Sequence, residues 1–291
     1  MIHLPREVIA DLKRVPELPV SVSRLLAVIN DERHGLHDIV TIVRHDAVLT
    51  ARVLKVANSA AYALPVPVTT IDRAVPVLGE SMIIGITLAE SVAALHHRKL
   101  DGYAAETGSL WRHDLLTAVA ARRLARFAHK AVEADLAFTC GLLHDLGKAV
   151  LSAHLAGVVT EVLARLERED ETSYLDAEAG LLGTTHAEVG LALARRWRLP
   201  APLDVVMAHH HRPHKAPREW RTLTYIVHLA DMAAMMLGMG TGADTLRYRL
   251  APDYERYVGV NVEELADLLV NVKEEFDALE KAFLDGADAS S

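Results

Sequence analysis

Apolar residues recur at helical spacing along almost the whole chain, and the strict apolar/polar alternation of a half-buried strand is hard to find anywhere. Val22, Leu25, Leu26 and Ile29 form one such run, and Leu49, Val53, Leu54 and Ala57 another. Val262, Leu265, Leu268, Leu269, Val272 and Phe276 form a longer stripe near the end. Ala, Leu and Val dominate, Arg outnumbers Lys and aromatic residues make up only 5%. Ala, Leu, Arg and Glu are strong helix formers, so local preference and periodicity agree. The reading is an all-α fold.

The spacing predicts short helices in the first hundred residues: from Val22 up to Asn30-Asp31, over 36–44 and 48–58, and after Thr69-Thr70 to Leu78-Gly79. A longer apolar helix follows over 80–97. Pro16, Pro19, Pro65 and Pro67 punctuate them. The polar patch Arg98-Lys99-Leu100-Asp101-Gly102 marks a boundary between a helical lobe at 1–100 and a second helical domain at 101–285, with a frayed tail at 286–291. The second domain is expected to carry longer helices over 109–129, 133–153, 157–169, 185–198, 202–211, 221–237 and 262–283. Thr185 with Glu188 three residues on reads as a capping box, Asn261 as an N-cap, and Pro213 as a stop.

At 291 residues and 51% hydrophobic, the chain is long enough for one large domain or two smaller ones. Its composition excludes intrinsic disorder and disulfide-dense scaffolds. A net charge of -8 argues against DNA as a partner. Cys140 is the single cysteine, the first residues carry charges throughout, and no apolar stretch approaches a membrane span. A cytoplasmic protein with no membrane attachment is the expectation.

The chemistry lies in sixteen histidines, an unusual number for a residue costly to bury without a partner. The central motif is Gly141-Leu142-Leu143-His144-Asp145-Leu146-Gly147-Lys148. On a helix, His144 and Asp145 project about 100° apart and could ligate at one site. Lys148 shares that face. A neutral imidazole beside a carboxylate suits divalent iron, manganese or zinc, and a lysine can hold a phosphate.

This motif resembles the HD superfamily of metal-dependent phosphohydrolases and, within it, HDOD proteins (HD-related output domain). The likeness covers nearly the whole chain. It includes Leu18-Pro19, the run from His45-Asp46-Ala47-Val48 to Ala57-Asn58-Ser59-Ala60, and Ile71-Asp72-Arg73-Ala74-Val75-Pro76-Val77-Leu78-Gly79. Ala47 departs from the proline usual in the family. Trp111-Arg112-His113, His186-Ala187-Glu188-Val189-Gly190, His210-His211 before Pro213, and Leu229-Ala230-Asp231 resemble the other ligand positions.

The resemblance implies an N-terminal helical bundle packed on an HD-type helical domain. It implies one divalent metal at His113, His144, Asp145 and Asp231, with Asp145 bridging to a second at His186, His210 and His211. Iron or manganese is the expectation, with zinc as an alternative. Asp145 and Lys148 would be the catalytic residues of any phosphohydrolase activity, Lys148 facing a substrate phosphate. Many HDOD proteins are regarded as non-catalytic, so the resemblance favours a bacterial-type signalling output protein acting through a protein partner. A metal-dependent phosphohydrolase for a nucleotide or other phosphoester is the alternative. No Gly-Tyr-Pro follows His210-His211, and Ser109 stands where three-metal relatives have glutamate. Both departures argue against a cyclic-dinucleotide phosphodiesterase.

Cys140 is read as a small buried apolar residue, His228 as a supporting or core histidine, and His209 and His214 as exposed at a helix end. His96-His97 shows no partner pattern. Arg122, Arg123 and Arg126, and Arg195, Arg196 and Arg198, read as solvated helix faces.

Overall fold

The periodicity is realised as helices throughout. The computed structural model describes residues 4–29, 33–167 and 173–284, and among them there are two isolated β-bridges and no strand. The chain is all-α. The predicted tail at 286–291 and the stop signal Asn30-Asp31 lie outside the described residues, as does the end of the helix expected over 157–169.

The first part of the chain forms α1 (Arg6–Arg14), α2 (Val20–Ile29), α3 (Leu36–Arg44), α4 (Ala47–Ala57), α5 (Ile71–Leu78), α6 (Glu80–Ser91) and α7 (Ala93–His96). The helix expected over 80–97 is therefore two pieces, broken at Val92. The rest forms α8 (Ser109–Leu124), α9 (Ala134–Leu143), α10 (Gly147–Leu155), α11 (Val159–Glu167), α12 (Tyr174–Leu182), α13 (His186–Arg196), α14 (Leu203–His209), α15 (Arg221–Met236) and α16 (Val262–Leu284). Neither α1 nor α12 was anticipated.

Helix α8 runs through the middle, packed against α9, α15 and α16. Twelve of its sixteen residues are buried, including the polar His113, Asp114 and Thr117. Helix α6 packs on α9, α1 on α10, and α16 returns to α4, so a single apolar core extends from Val8 to Phe283. In α16, Leu268, Val272 and Phe276 are fully buried, whereas Val262 is exposed beside its N-cap. Asn261 and Glu264 bond each other's backbone N–H reciprocally, as the cap reading expects. Among the described residues no single helix is long and apolar enough to cross a membrane.

Arg126, Arg195 and Arg198 are exposed as expected, but the other three arginines are not solvated. Arg122 and Arg123 both pair with Glu275 of α16, and Arg122 also donates to the Tyr62 hydroxyl. Arg196 donates to the Val15 carbonyl and pairs with Glu17. Charges that periodicity assigned to solvent instead join helices distant in sequence.

Candidate metal centre

Two glycines bring the site's helices close enough to share it. At Gly141 on α9 an added Cβ would lie 2.8 Å from the Ala118 Cα on α8. At Gly147, opening α10, it would lie 1.9 Å from the His186 carbonyl oxygen at the start of α13. Only glycine permits such backbone approaches. The first pairing places His144 near His113, with ring centroids 5.4 Å apart, and the second places Asp145 against His186.

His144, Asp145 and Leu146 are not helical but form a turn between α9 and α10. The α-helical bonding pattern gives way there to i→i+3 bonds, Lys148 N–H to the Asp145 carbonyl among them. His186 is the first residue of α13, entered through the expected Thr185–Glu188 capping box. His210 caps α14 and His211 lies in the turn after it. His113 comes from α8 and Asp231 from α15.

All seven expected ligands converge. Asp145 Oδ1 lies 3.4 Å from His186 Nε2 and 3.3 Å from His210 Nε2, and His186 Nε2 lies 3.0 Å from His211 Nε2. Asp145 Oδ2 lies 3.5 Å from both His113 Nε2 and His144 Nε2. Asp231 Oδ1 lies 3.2 Å from His113 Nε2 and 3.9 Å from His144 Nε2.

The second nitrogen of four of the five rings fixes its tautomer. His113 Nδ1 lies 2.6 Å from the Met239 carbonyl oxygen and His144 Nδ1 2.7 Å from that of Gly141. His210 Nδ1 faces the Val206 and Met207 carbonyls at 3.2 and 3.1 Å. A carbonyl only accepts, so these Nδ1 atoms carry the protons and the Nε2 lone pairs point inward. His186 Nδ1 donates to Glu178 at 2.8 Å, and Glu178 also accepts from the His186 backbone N–H and the Tyr103 hydroxyl.

These inward atoms fit a divalent cation. His113 Nε2, His144 Nε2, His210 Nε2, Asp145 Oδ1 and both oxygens of Asp231 are buried without a hydrogen-bond partner. Leaving so many acceptors unmade costs about 1–3 kcal/mol each. Ligand atoms about 2.1 Å from one ion lie roughly 3.0–3.4 Å apart, close to the 3.0–3.9 Å separations here. Two groups of donors within 4.8 Å of one another meet at Asp145: His186, His210 and His211 on one side, His113, Asp114 and His144 on the other. The nitrogen–carboxylate set suits a divalent metal such as iron, manganese or zinc.

The electrostatics agree. Burial opposes the ionised form of Asp145, but Lys148 and His144 hold its carboxyl well below the usual range. Asp231 is likewise held down against burial, by His113. Burial pushes His144 down to about 3 and also takes His211 well below its ordinary value, leaving neutral rings suited to ligation. His113 is held at about 9 against burial by Asp231 and Asp145, so the two carboxylates already attract a proton where a cation would sit.

Lys148 differs from expectation. Its ammonium is buried, donates to Asp244 Oδ2 at 2.5 Å and Thr241 Oγ1 at 3.0 Å, and forms an ion pair with Asp145 Oδ2 at 2.6 Å. Its charge is taken up by the protein, because the loop after α15 folds an acidic residue over the lysine. Asp244 also accepts from Tyr248 Oη at 2.8 Å.

Sequence reasoning missed Glu178, Thr241, Asp244 and Asp114. Asp114 was visible beside His113, and it binds His96 Nε2 at 3.0 Å, giving that buried histidine the partner its spacing hid. Glu178, eight residues before His186, sat on the unanticipated α12. His228 is buried and accepts from the Ala251 N–H, Cys140 is buried, and His214 is exposed, as expected.

The family profile of the HDOD domain matches residues 15–213. An uncharacterised protein of Treponema pallidum is 33% identical over 227 residues, which are 77% of this chain and 42% of that protein. The chain thus spans less than half the length of this relative. Among solved structures, an HDOD domain protein of unknown function from Geobacter sulfurreducens superposes with a TM-score of 0.70 at 24% identity, covering 96% of this chain and 97% of the other. A candidate phosphohydrolase from Shewanella amazonensis gives 0.69 at 24% identity, covering 97% and 99%. At this identity these two structures speak for the fold alone.

Proposed function

The chain belongs to the HDOD family, and from that premise we propose a signalling output protein whose buried His/Asp centre holds one or two divalent metal ions and which acts through contacts with a separate protein. One observation carries this reading: the centre is enclosed. The side chains of His113, His144, Asp145, His186, His210 and Asp231 have 0% exposure, and that of His211 has 4%. Closed ligand sets are the habit of structural metal sites, whereas catalytic ones keep an open position. Lys148, the group expected to receive a phosphate, is neutralised from within.

In this reading His186, His210, His211 and Asp145 would hold one ion, and His113, His144, Asp231 and Asp145 a second. A bound ion ties α8, α13, α15, the α9–α10 turn and the end of α14 together, and its binding free energy adds to folding free energy. Helix α9, which leads into the His-Asp turn, also packs on α6. That contact, with α1 against α10 and α13, connects the centre to the first hundred residues.

The alternative is a phosphohydrolase acting on a nucleotide or other phosphoester, in line with the name of the Shewanella fold neighbour. A bound metal would then supply an acidified water and a clamp on a phosphoryl oxygen. The test is metal analysis of protein purified anaerobically without chelator, then a screen of the loaded protein against mono-, di- and cyclic nucleotides. Stoichiometric metal without turnover is the expected result. Turnover abolished by Asp145→Ala would replace the signalling reading by the enzymatic one, and substoichiometric iron, manganese and zinc would remove the metal from both.

A further inference from the structure

His113 and Asp114 are neighbours on α8 and project about 100° apart. His113 faces the metal centre, whereas Asp114 faces α7, within the first hundred residues. There Asp114 Oδ2 lies 3.0 Å from His96 Nε2, and both side chains have 0% exposure. The other oxygen, Asp114 Oδ1, lies 3.6 Å from His144 Nδ1 and has no hydrogen-bond partner. That nitrogen is on the outer edge of a ring whose Nε2 points into the centre. Asp114 thus stands between a histidine of α7 and a histidine of the ligand set.

We infer that Asp114 is a positioning residue for His144, tethered by His96, so that the seating of α7 sets how tightly the His113/His144 half of the centre holds its ion. The inference rests on the metal reading above and goes beyond it by giving the two halves of the centre different supports. Three observations carry it.

First, each half has one histidine with a carboxyl group behind it. Glu178 stands behind His186, its oxygens 2.8 and 2.9 Å from Nδ1, and Asp114 stands behind His144. A carboxylate in that place orients the ring and raises its basicity towards a metal. The other partners of Glu178 are the His186 backbone N–H and the Tyr103 hydroxyl, both beyond the first hundred residues. The hydrogen bond of Asp114 goes to α7 instead.

Second, His96 is itself held in place. Its ring meets Trp111, one turn before Asp114 on α8, edge-on with centroids 5.3 Å apart. Trp111 is covered in turn by His97, stacked at 6.1 Å, and by Phe283 of α16 at 5.1 Å. A change in the packing of α7 or of the end of α16 therefore moves the group that holds Asp114.

Third, among the described residues no lysine or arginine lies within ion-pair distance of Asp114, and its Oδ1 is buried unmet. Such an oxygen costs stability, a cost that an apolar side chain in the same place would not carry. What the carboxyl group offers there is an acceptor edge facing the His144 Nδ1 proton.

The test titrates cobalt(II) alone, as a spectroscopic stand-in for the resident ion, into the metal-free full-length chain and follows affinity and d–d absorption bands. Asp231→Ala identifies the His113/His144 step as the one it abolishes. Asp114→Asn should weaken that step about tenfold and shift its bands, and should change nothing that remains in the Asp231→Ala background. His96→Gln should weaken the same step by a smaller factor, and it carries the test should far-UV circular dichroism show Asp114→Asn unfolded. By linkage, metal loading should raise the hydrogen-exchange protection of α7 in the parent protein and not in Asp114→Asn. An Asp114→Asn protein that binds cobalt like the parent overturns the inference. So does an equal effect in the Asp231→Ala background, which a general loosening of the fold would give. A parent protein that binds no cobalt defeats the metal reading and this inference together, whereas cobalt binding indifferent to Asp114 and His96 defeats this inference alone.

Discussion

Gly147 and His186 meet backbone to backbone: a Cβ on residue 147 would sit 1.9 Å from the His186 carbonyl oxygen. The His-Asp turn and the start of α13 are in register only because that Cβ is missing. Gly147→Ala forces the two backbones apart, and no flexible side chain can yield to relieve it. The expected cost is about 1–3 kcal/mol or somewhat more. Urea unfolding should show a lowered midpoint with an unchanged slope, and metal binding should weaken in the same variant.

Asp145 turns one carboxylate oxygen to each half of the centre. Asp145→Ala should therefore remove every bound ion, whereas Asp231→Ala should spare the ion held by His186, His210 and His211. Plasma emission metal analysis reads this directly, and equal losses in the two variants would contradict a bridging role.

Glu178 touches no ion in this arrangement; it holds the His186 Nδ1 proton and the His186 backbone N–H together. Such supporting partners typically change metal affinity about 10–100-fold, and that loss is expected for Glu178→Gln. Competition with a chelator of known affinity measures it. The helix content of the variant should be unchanged.

Lys148 and Asp244 form a buried pair. Lys148→Met leaves Asp145 and Asp244 facing each other without their cation and should cost about 3–5 kcal/mol. Lys148→Met/Asp244→Leu should recover part of that loss, a coupling that a double-mutant cycle in urea resolves.

His96 gives a pH dependence away from the metal ligands' own nitrogens. Burial pushes it down to about 4 from an ordinary value of 6.5. The unfolded chain therefore binds the extra proton first, so this contribution is fully present above pH 6.5 and is lost as pH falls towards 4. In metal-free protein His96 should account for a few kcal/mol of the stability lost over that window, at about 1.4 kcal/mol for each unit of pKa difference, with the buried His144 and His211 adding to the loss. His96→Gln should make the profile shallower than that of the parent protein, as monitored by urea unfolding at a series of pH values.

The helical class, most helix positions, the Thr185–Glu188 and Asn261 caps and the seven converging residues were all legible in the chain. Periodicity and capping are local, and the motif likeness identified which histidines and aspartates to watch. Several other features were not legible. The break at His144-Asp145-Leu146 sits inside an unbroken helical pattern, because the turn is imposed by packing against α13 rather than by any local stop signal. Arg122, Arg123, Glu275 and Glu178 look like ordinary surface residues on their own helices and become joints only when helices far apart in sequence are brought together.

Residue order alone determined that this chain is helical, since helix preference is a property of short segments, and its likeness to a known family pointed to the imidazoles and carboxylates that meet at one centre. Tertiary structure alone decided that Asp145 faces two ways, that Lys148 is consumed by Asp244 and Thr241, and that the seven side chains are closed off from water. Those outcomes depend on distances between elements up to about a hundred residues apart, set by which backbones can approach and which charges must be neutralised once water is gone.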